Sequence, residues 1–379
     1  MKLIKTEEAV GHVLCHDMTQ IIPGVVKDAR FRKGHVVTEK DIPVLLSIGK
    51  EHLYVWEKQE GMLHEDEAAL RLEAMCKSDG MHATAVKEGK IELIADVEGL
   101  FTVDVSRLYA ANSFDNIMIA TRHTNQVVHP GDKLAGTRII PLVIDEKEIL
   151  ECEKVVGSEP LLAIHPWKLK TAGVITTGSE VEKGLIQDQF TPVVIKKLEA
   201  FGIKVIAHVL SGDDKERILA AIEDMKKQGC DMILCTGGMS VDPDDKTPGA
   251  IKESGARSVT YGAPTRPGAM LCLGYFEEAI EDNIEVSGDK DDSDTEIGEG
   301  FAVGSDDGSG KTQHKRIPIV GLPGCVMYAK ATIFDLILPR LAADVEISKK
   351  DIIALGHGGL CLGCKVCTYP NCGFGKGGC

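Results

Sequence analysis

The chain has 379 residues, 43% hydrophobic and 27% charged, with a formal net charge of −15. That length exceeds one ordinary core and predicts two or three domains, while the lack of a charge-free apolar run of about eighteen residues argues against a membrane span. Aromatics are only 4% and no basic stripe interleaves with them, which counts against a nucleic-acid surface.

In chain order, the opening MKLIKTEEAVGHVL carries two glutamates where an export signal needs apolar residues. A cytoplasmic location without disulfides is therefore expected. Residues 1–154 read as an α+β module. HEDEAALRLEAMCKS repeats apolar positions at helical spacing (Ala68, Leu72, Met75), IELIADVEGLFTVDV alternates as one strand, and VVHPGDKLAGTRIIPLVI reads as strand, Pro-Gly-Asp turn, strand. Residues 155–345 change to strand and helix in alternation, which predicts a mainly parallel α/β sheet. AGVITTG is a buried strand, TPVVIKKLEAFG a helix stopped by Gly202, and IKVIAHVL the next strand. In GDDKERILAAIEDMKKQG, Asp213 and Glu216 stand at capping-box spacing before the stripe Ile218, Ile222, Met225. CDMILC returns as a strand, so the first and third strands both end in Thr-Gly, in TTGSE and CTGGMS.

In open α/β sheets, ligands bind beyond the carboxyl ends of strands, where glycine allows close backbone approach and free N–H groups hold anions. Neither turn is a Walker loop or a dinucleotide fingerprint. Asp242, Asp244 and Asp245 follow the second turn, and hard carboxylates beside an anion site suit Mg²⁺. PTRPGAMLCLG then supplies Arg266 and a Pro-Gly turn before a strand, and RIPIVGLPGCVMYAKATIFDLILPRL reads as strand, Gly-Leu-Pro-Gly turn and a long helix starting at that turn. Between them, residues 281–310 hold eleven acids and one base among Gly and Ser. Such a segment cannot offset its ordering entropy by burial, so an acidic insertion is placed at about 281–315.

VITTGSE, GLIQD, LCTGGMSVDPDD, RPGAM and VGLPGCVMYA stand in the order and approximate spacing of a known family. Residues from about Leu169 to Leu341 resemble the molybdopterin-binding domain of MogA-type and MoeA-type proteins and the gephyrin E domain, with the Pro-Gly and Gly-Leu-Pro-Gly turns favouring the MoeA-type branch. EEAVGHVLCHDM and FRKGHVVTEKDIPVLLSIGKEHLYVW look distantly like the opening module of MoeA-type chains. The resemblance implies a three-layer α/β domain that binds molybdopterin, with Mg²⁺ assisting insertion of molybdate-derived metal. It places Thr176, Thr177, Gly178, Ser179 and Glu180 in one ligand loop and Thr236, Gly237, Gly238 and Ser240 in the other. Arg266, Pro267, Gly268, Pro323 and Gly324 complete the ligand set, and Asp245, Asp188 and Asp242 are the candidate catalytic acids. It further implies a molybdotransferase in a homo-oligomer, which could serve a partner molybdoenzyme, without nucleic-acid or membrane partners. The alternative is a non-catalytic carrier, chaperone or sensor of the molybdenum cofactor. Several positions depart from the family pattern: Ser179 stands in place of Asp, DQF lacks the Asn of Asp-x-Asn, and Cys325 takes the place of Asn. About forty residues follow Pro339, where the family would continue into a β domain.

Residues 346–379 end in GHGGLCLGCKVCTYPNCGFGKGGC, with five of the chain's twelve cysteines. In a reducing compartment that density points to metal. Cys361, Cys364, Cys367 and Cys372 are spaced two, two and four apart, near the ferredoxin pattern, which has three residues before its fourth cysteine. An iron–sulfur cluster, of the 4Fe–4S kind, is the first expectation and zinc on four thiolates the alternative. With so few apolar residues, the tail is expected to be unstructured until metal folds it.

Overall fold

The computed structural model describes residues 2–22, 24–55, 60–240, 242, 243, 245–279 and 314–377. The acidic insertion, Asp244 and Cys379 lie outside the described residues, apart from His314 and Lys315, which open a strand. Among the described residues no helix is long and apolar enough to cross a membrane.

The chain divides into two compact units between Pro166 and Trp167. The boundary falls after residue 154 because the helix Glu146–Val156 buries Ile149 and Cys152 in the first unit's core, and the strand Leu162–His165 pairs with Gly99–Val103. In the first unit the helix Glu65–Cys76 buries Ala68, Leu72 and Met75, as its spacing predicts. IELIADVEGLFTVDV is two strands rather than one: Ile91–Ala95 joins a four-stranded antiparallel sheet, and Gly99–Val103 a separate three-stranded one. The strands flanking the Pro-Gly-Asp turn likewise separate, Gln126–Val128 pairing in the smaller sheet and Lys133–Ile139 in the larger.

The second unit is built on one six-stranded sheet. Its strands are, in chain order, Thr171–Thr177, Lys204–Ser211, Met232–Thr236, Arg257–Tyr261, Cys272–Ala279 and His314–Leu322. They lie in the order second, first, third, sixth, fifth, fourth. The first four positions in that order pair in parallel, and the last two strands add antiparallel pairs at the edge. Side chains alternate across a strand, and the central strands are apolar on both sides. Val174, Leu234 and Val320 face a core with Val194 and Leu198 of the helix Phe190–Glu199 and Phe334 and Leu341 of the helix Ile333–Ala342. Their neighbours Ile175, Ile233 and Ile319 face a second core with Ile218, Ile222 and Met225 of the helix Lys215–Lys227. Helices on both faces of the sheet make three layers, the mainly parallel α/β arrangement expected from the alternation of elements.

Local signals fix the ends of these helices. Gly202 and Gly229 stop two of them at φ of 70° and 76°, where a Cβ is disfavoured. Asp214, not Asp213, caps Lys215–Lys227, accepting from Arg217 N at 2.9 Å, and leaves Asp213 for another contact. The Gly-Leu-Pro-Gly turn does not start a long helix. A 3₁₀ turn spans Gly324–Met327, and the helix begins only at Ile333, where Thr332 and Asp335 form a capping box. Nor does the tail stand apart from this unit. The helix Lys349–Ala354 leads into residues whose Phe374 is buried, and the Tyr369 hydroxyl donates to Asp335 O at 2.8 Å.

Candidate functional site

The strand order brings the ends of the first and third strands side by side, and their turns interlock. Thr177 Oγ1 donates to Thr236 O at 3.0 Å and shares a 3.2 Å hydrogen bond with Thr247 Oγ1. Gly237 and Gly238 follow at φ of 83° and 55°. A Cβ on Gly237 would lie 2.4 Å from Thr177 O, so glycine is what lets the second turn close against the first.

A cleft of about 850 Å³ opens over these turns. From the first turn it is lined by Thr176, Thr177, Gly178 and Glu180, from the second by Thr236, Gly237, Gly238, Asp242 and Asp245, and from the approach to the helix Phe190–Glu199 by Asp188. Ten of the sequence-predicted residues thus surround one space. Ser179 and Ser240 stand just behind it: Asp213 accepts from both the amide and the hydroxyl of Ser179 at 2.9 Å, and Asp245 accepts from the Ser240 amide at 2.7 Å.

Several of these polar groups are engaged in holding the turns. Thr176 Oγ1 meets Thr191 Oγ1 at 2.8 Å, His208 Nε2 at 3.0 Å and Asp188 Oδ2 at 3.3 Å. Asp188 Oδ1 accepts from the amides of Phe190 and Thr191 at 2.9 and 3.0 Å, which starts the helix. Burial alone would raise the Asp188 carboxyl, but the bonds from Thr191, Phe190 and Thr176 outweigh it and hold it below the ordinary aspartate value. Asp188 is therefore an ionised positioning group. Thr236 differs: it is fully buried at the cleft floor, and its Oγ1 has no hydrogen-bond partner among the described residues. Such an orphaned hydroxyl is uncommon in a folded protein and calls for an explanation.

The electrostatics of the cleft are one-sided. Glu180, Asp188, Asp213, Asp242 and Asp245 line it, and no lysine, arginine or histidine does among the described residues. Hard oxygen donors gathered in one cleft suit a divalent metal shared with an anionic ligand. Among the described residues no three His, Cys, Asp or Glu side chains are grouped to hold a metal ion by themselves. Mg²⁺ characteristically takes one or two carboxylates plus ligand oxygens rather than an all-protein cage.

The remaining predicted residues lie elsewhere. Arg266, Pro267, Gly268, Pro323 and Gly324 do not line this cleft. Gly268, at φ of 124°, packs where a Cβ would sit 2.3 Å from Ile333 Cγ2, and Pro267 O accepts from Ile333 N at 3.2 Å. The Arg-Pro-Gly turn thus seats the helix Ile333–Ala342. The Gly-Leu-Pro-Gly turn reaches the cleft only through Met327, which sequence reasoning did not single out. Asp213 was likewise assigned to a helix cap; the adjacent pair Asp213-Asp214, one acid more than a cap needs, was the available signal.

Residues 173–343 match the family described as "Probable molybdopterin binding domain", and residues 3–57 match a domain of unknown function, DUF8806. The chain is similar to a molybdopterin molybdenumtransferase from Synechococcus elongatus, 29% identical over 153 residues, covering 38% of this chain and 35% of that protein. It is also similar to a CinA-like protein from Pseudothermotoga lettingae, 38% identical over 116 residues, covering 31% of this chain and 28% of that protein. The chain therefore spans about a third of the length of these curated relatives. Among solved structures, the tungsten cofactor synthesizing protein MoaB from Pyrococcus furiosus aligns at 17% identity and a TM-score of 0.29, over 47% of this chain and 90% of that one.

Proposed function

We propose that this chain, whose α/β unit belongs to the MogA- and MoeA-like family of molybdopterin-binding domains, holds molybdopterin in the cleft at the strand ends and takes part in metal insertion as a molybdotransferase. The observation that carries the reading is the interlocked pair of Thr-Gly turns opening on one cleft, with the orphaned Thr236 hydroxyl at its floor. Gly237 and Gly238 leave backbone rather than side chain facing an incoming anion. Asp242 and Asp245 would hold Mg²⁺, whose positive charge would sit between the cleft carboxylates and an anionic pterin phosphate. Asp188, fixed by its amide bonds, would keep Thr176 in place. Molybdate as co-substrate, a molybdoenzyme as recipient, a cytoplasmic location and a homo-oligomeric state belong to the same proposal, as does a thiolate-bound metal centre on Cys361, Cys364, Cys367 and Cys372.

The second reading, a carrier, chaperone or sensor, draws on Ser179, which stands where the family resemblance puts an aspartate and whose hydroxyl is taken up by Asp213. Fluorescence titration with molybdopterin, with and without Mg²⁺, tests the binding step. Saturable binding tightened by Mg²⁺ is expected, and Asp245→Asn should remove most of that tightening. Absence of saturable binding by the wild-type protein would overturn the site. Molybdate-dependent conversion of the bound pterin separates transferase from carrier, and binding without conversion establishes the carrier.

A further inference from the structure

The cysteine tail is built into the α/β unit from both ends. Arg266 N donates to Gly359 O and Cys361 N to Arg266 O, each at 2.8 Å, so the chain runs parallel to the Arg-Pro-Gly turn for one bridge. Further on, Tyr369 is pinned to Asp335 O, its phenol raised by burial, and Gly375 packs where a Cβ would lie 2.3 Å from Leu336. Between these anchors residues 361–373 contain neither helix nor strand. Cys361, Cys364, Cys367 and Cys372, all free thiols, line one cavity of about 420 Å³, walled on its other side by Pro267 and Ala329–Ala331 of the α/β body.

The spacing of the thiols within this cavity discriminates between metals. A structural zinc needs four sulfurs about 2.3 Å from a single point. Structural zinc sites usually pair two Cys-x-x-Cys arms across a long spacer, whereas these four cysteines fall within one short run, Cys361 to Cys372. The cavity of about 420 Å³ is larger than a bare ion occupies. The spacing of two, two and four residues lies near the ferredoxin pattern, which favours an inorganic core of iron and sulfide. Leu360 and Leu362, 63% and 83% exposed, flank the thiols and supply an apolar rim of the kind that limits water at a cluster.

We propose that this cavity binds a 4Fe–4S cluster through Cys361, Cys364, Cys367 and Cys372, as an integral part of the α/β unit. The cluster shares one short segment with the acidic cleft: Met327 lines the cleft, and Ala329, two residues on, lines the cavity. The proposal rests on the metal-centre part of the preceding reading and stands whether or not molybdopterin binds.

The test is anaerobic reconstitution of the full chain with ferrous iron and sulfide, followed by iron, sulfide and zinc analysis and visible spectroscopy. About four iron and four sulfide per chain are expected, with a broad visible absorbance that dithionite bleaches. Cys364→Ser and Cys367→Ser, both at exposed positions, should lower iron below one per chain while circular dichroism and the thermal transition of the remaining fold stay unchanged. Cys325→Ser, outside the cavity, should keep the full complement and so controls for unspecific iron. One tight zinc without iron, full iron retention in Cys364→Ser, or thiols that stay metal-free after reconstitution would each overturn the proposal. Because the readout is metal content, a failed pterin titration leaves it untouched.

Discussion

Replacing Thr236 by valine removes the orphaned hydroxyl with almost no change of shape. Both side chains are β-branched and suit a strand, and the neighbouring bond from Thr177 Oγ1 uses the Thr236 carbonyl, which remains. The residue is 0% exposed and Oγ1 has no partner among the described residues, so the wild type bears the desolvation cost of a buried hydroxyl, about 1–3 kcal/mol. Thr236→Val should therefore stabilise the ligand-free protein by about 1–2 kcal/mol, with the urea midpoint raised and its m-value unchanged. For a unit of this size that corresponds to roughly 2–4 °C in Tm per kcal/mol. If the hydroxyl is kept for the ligand, the same variant should bind molybdopterin more weakly by about 1.5–3 kcal/mol, roughly ten- to a hundredfold. A variant less stable than the wild type by more than about 1 kcal/mol would mean that the hydroxyl has a partner in solution and would refute the reasoning. Raised stability with unchanged affinity would confine Thr236 to a structural flaw.

Gly237→Ala should cost about 1–3 kcal/mol, because it combines a positive φ with a Cβ 2.4 Å from a carbonyl; denaturant unfolding measures it, and a cost within error of zero would show that the turns are not interlocked. Asp188→Ala should cost about 0.5–2 kcal/mol by removing the acceptor for two helix-start amides. Since the Asp188 carboxyl is held below its ordinary value, its contribution is full above the unfolded-state value of about 3.9 and is lost as pH falls through the folded one. Acid titration of stability should accordingly be shallower below about pH 4 in Asp188→Ala, and an identical profile would show that the carboxylate is not the source. Asp213→Ala should cost at most about 1.5 kcal/mol yet weaken pterin binding by freeing Ser179; calorimetric titration beside a melt separates the two effects.

The central sheet was readable from the chain because its strands are buried on both faces and therefore appear as continuous apolar runs, Val174 and Ile175 serving opposite layers. The two Thr-Gly turns were readable for the same reason, as small residues where such runs end. What escaped reading depended on partners distant in sequence. Either of two adjacent aspartates satisfies a capping pattern, and only Ser179, 34 residues earlier, decides that Asp213 turns to the cleft. The Arg-Pro-Gly turn looked like ligand chemistry because its bonds to Gly359 and Cys361 lie more than ninety residues away. In the tail, cysteine spacing was legible, whereas its order comes from single anchors, Tyr369 and Phe374, in a stretch too polar to suggest burial.

The acid-lined cleft also has a kinetic consequence. Five carboxylates set a negative potential at its mouth, so an anionic pterin is slowed as it approaches rather than steered inward. Added monovalent salt shortens the reach of that repulsion, the Debye length falling from about 30 Å at 0.01 M to about 10 Å at 0.1 M. In the absence of divalent ions the association rate should then rise with ionic strength, the reverse of an electrostatically assisted encounter. If Mg²⁺ binds the carboxylates as proposed, the slope should flatten on its addition, and an unchanged slope would count against a metal in the cleft.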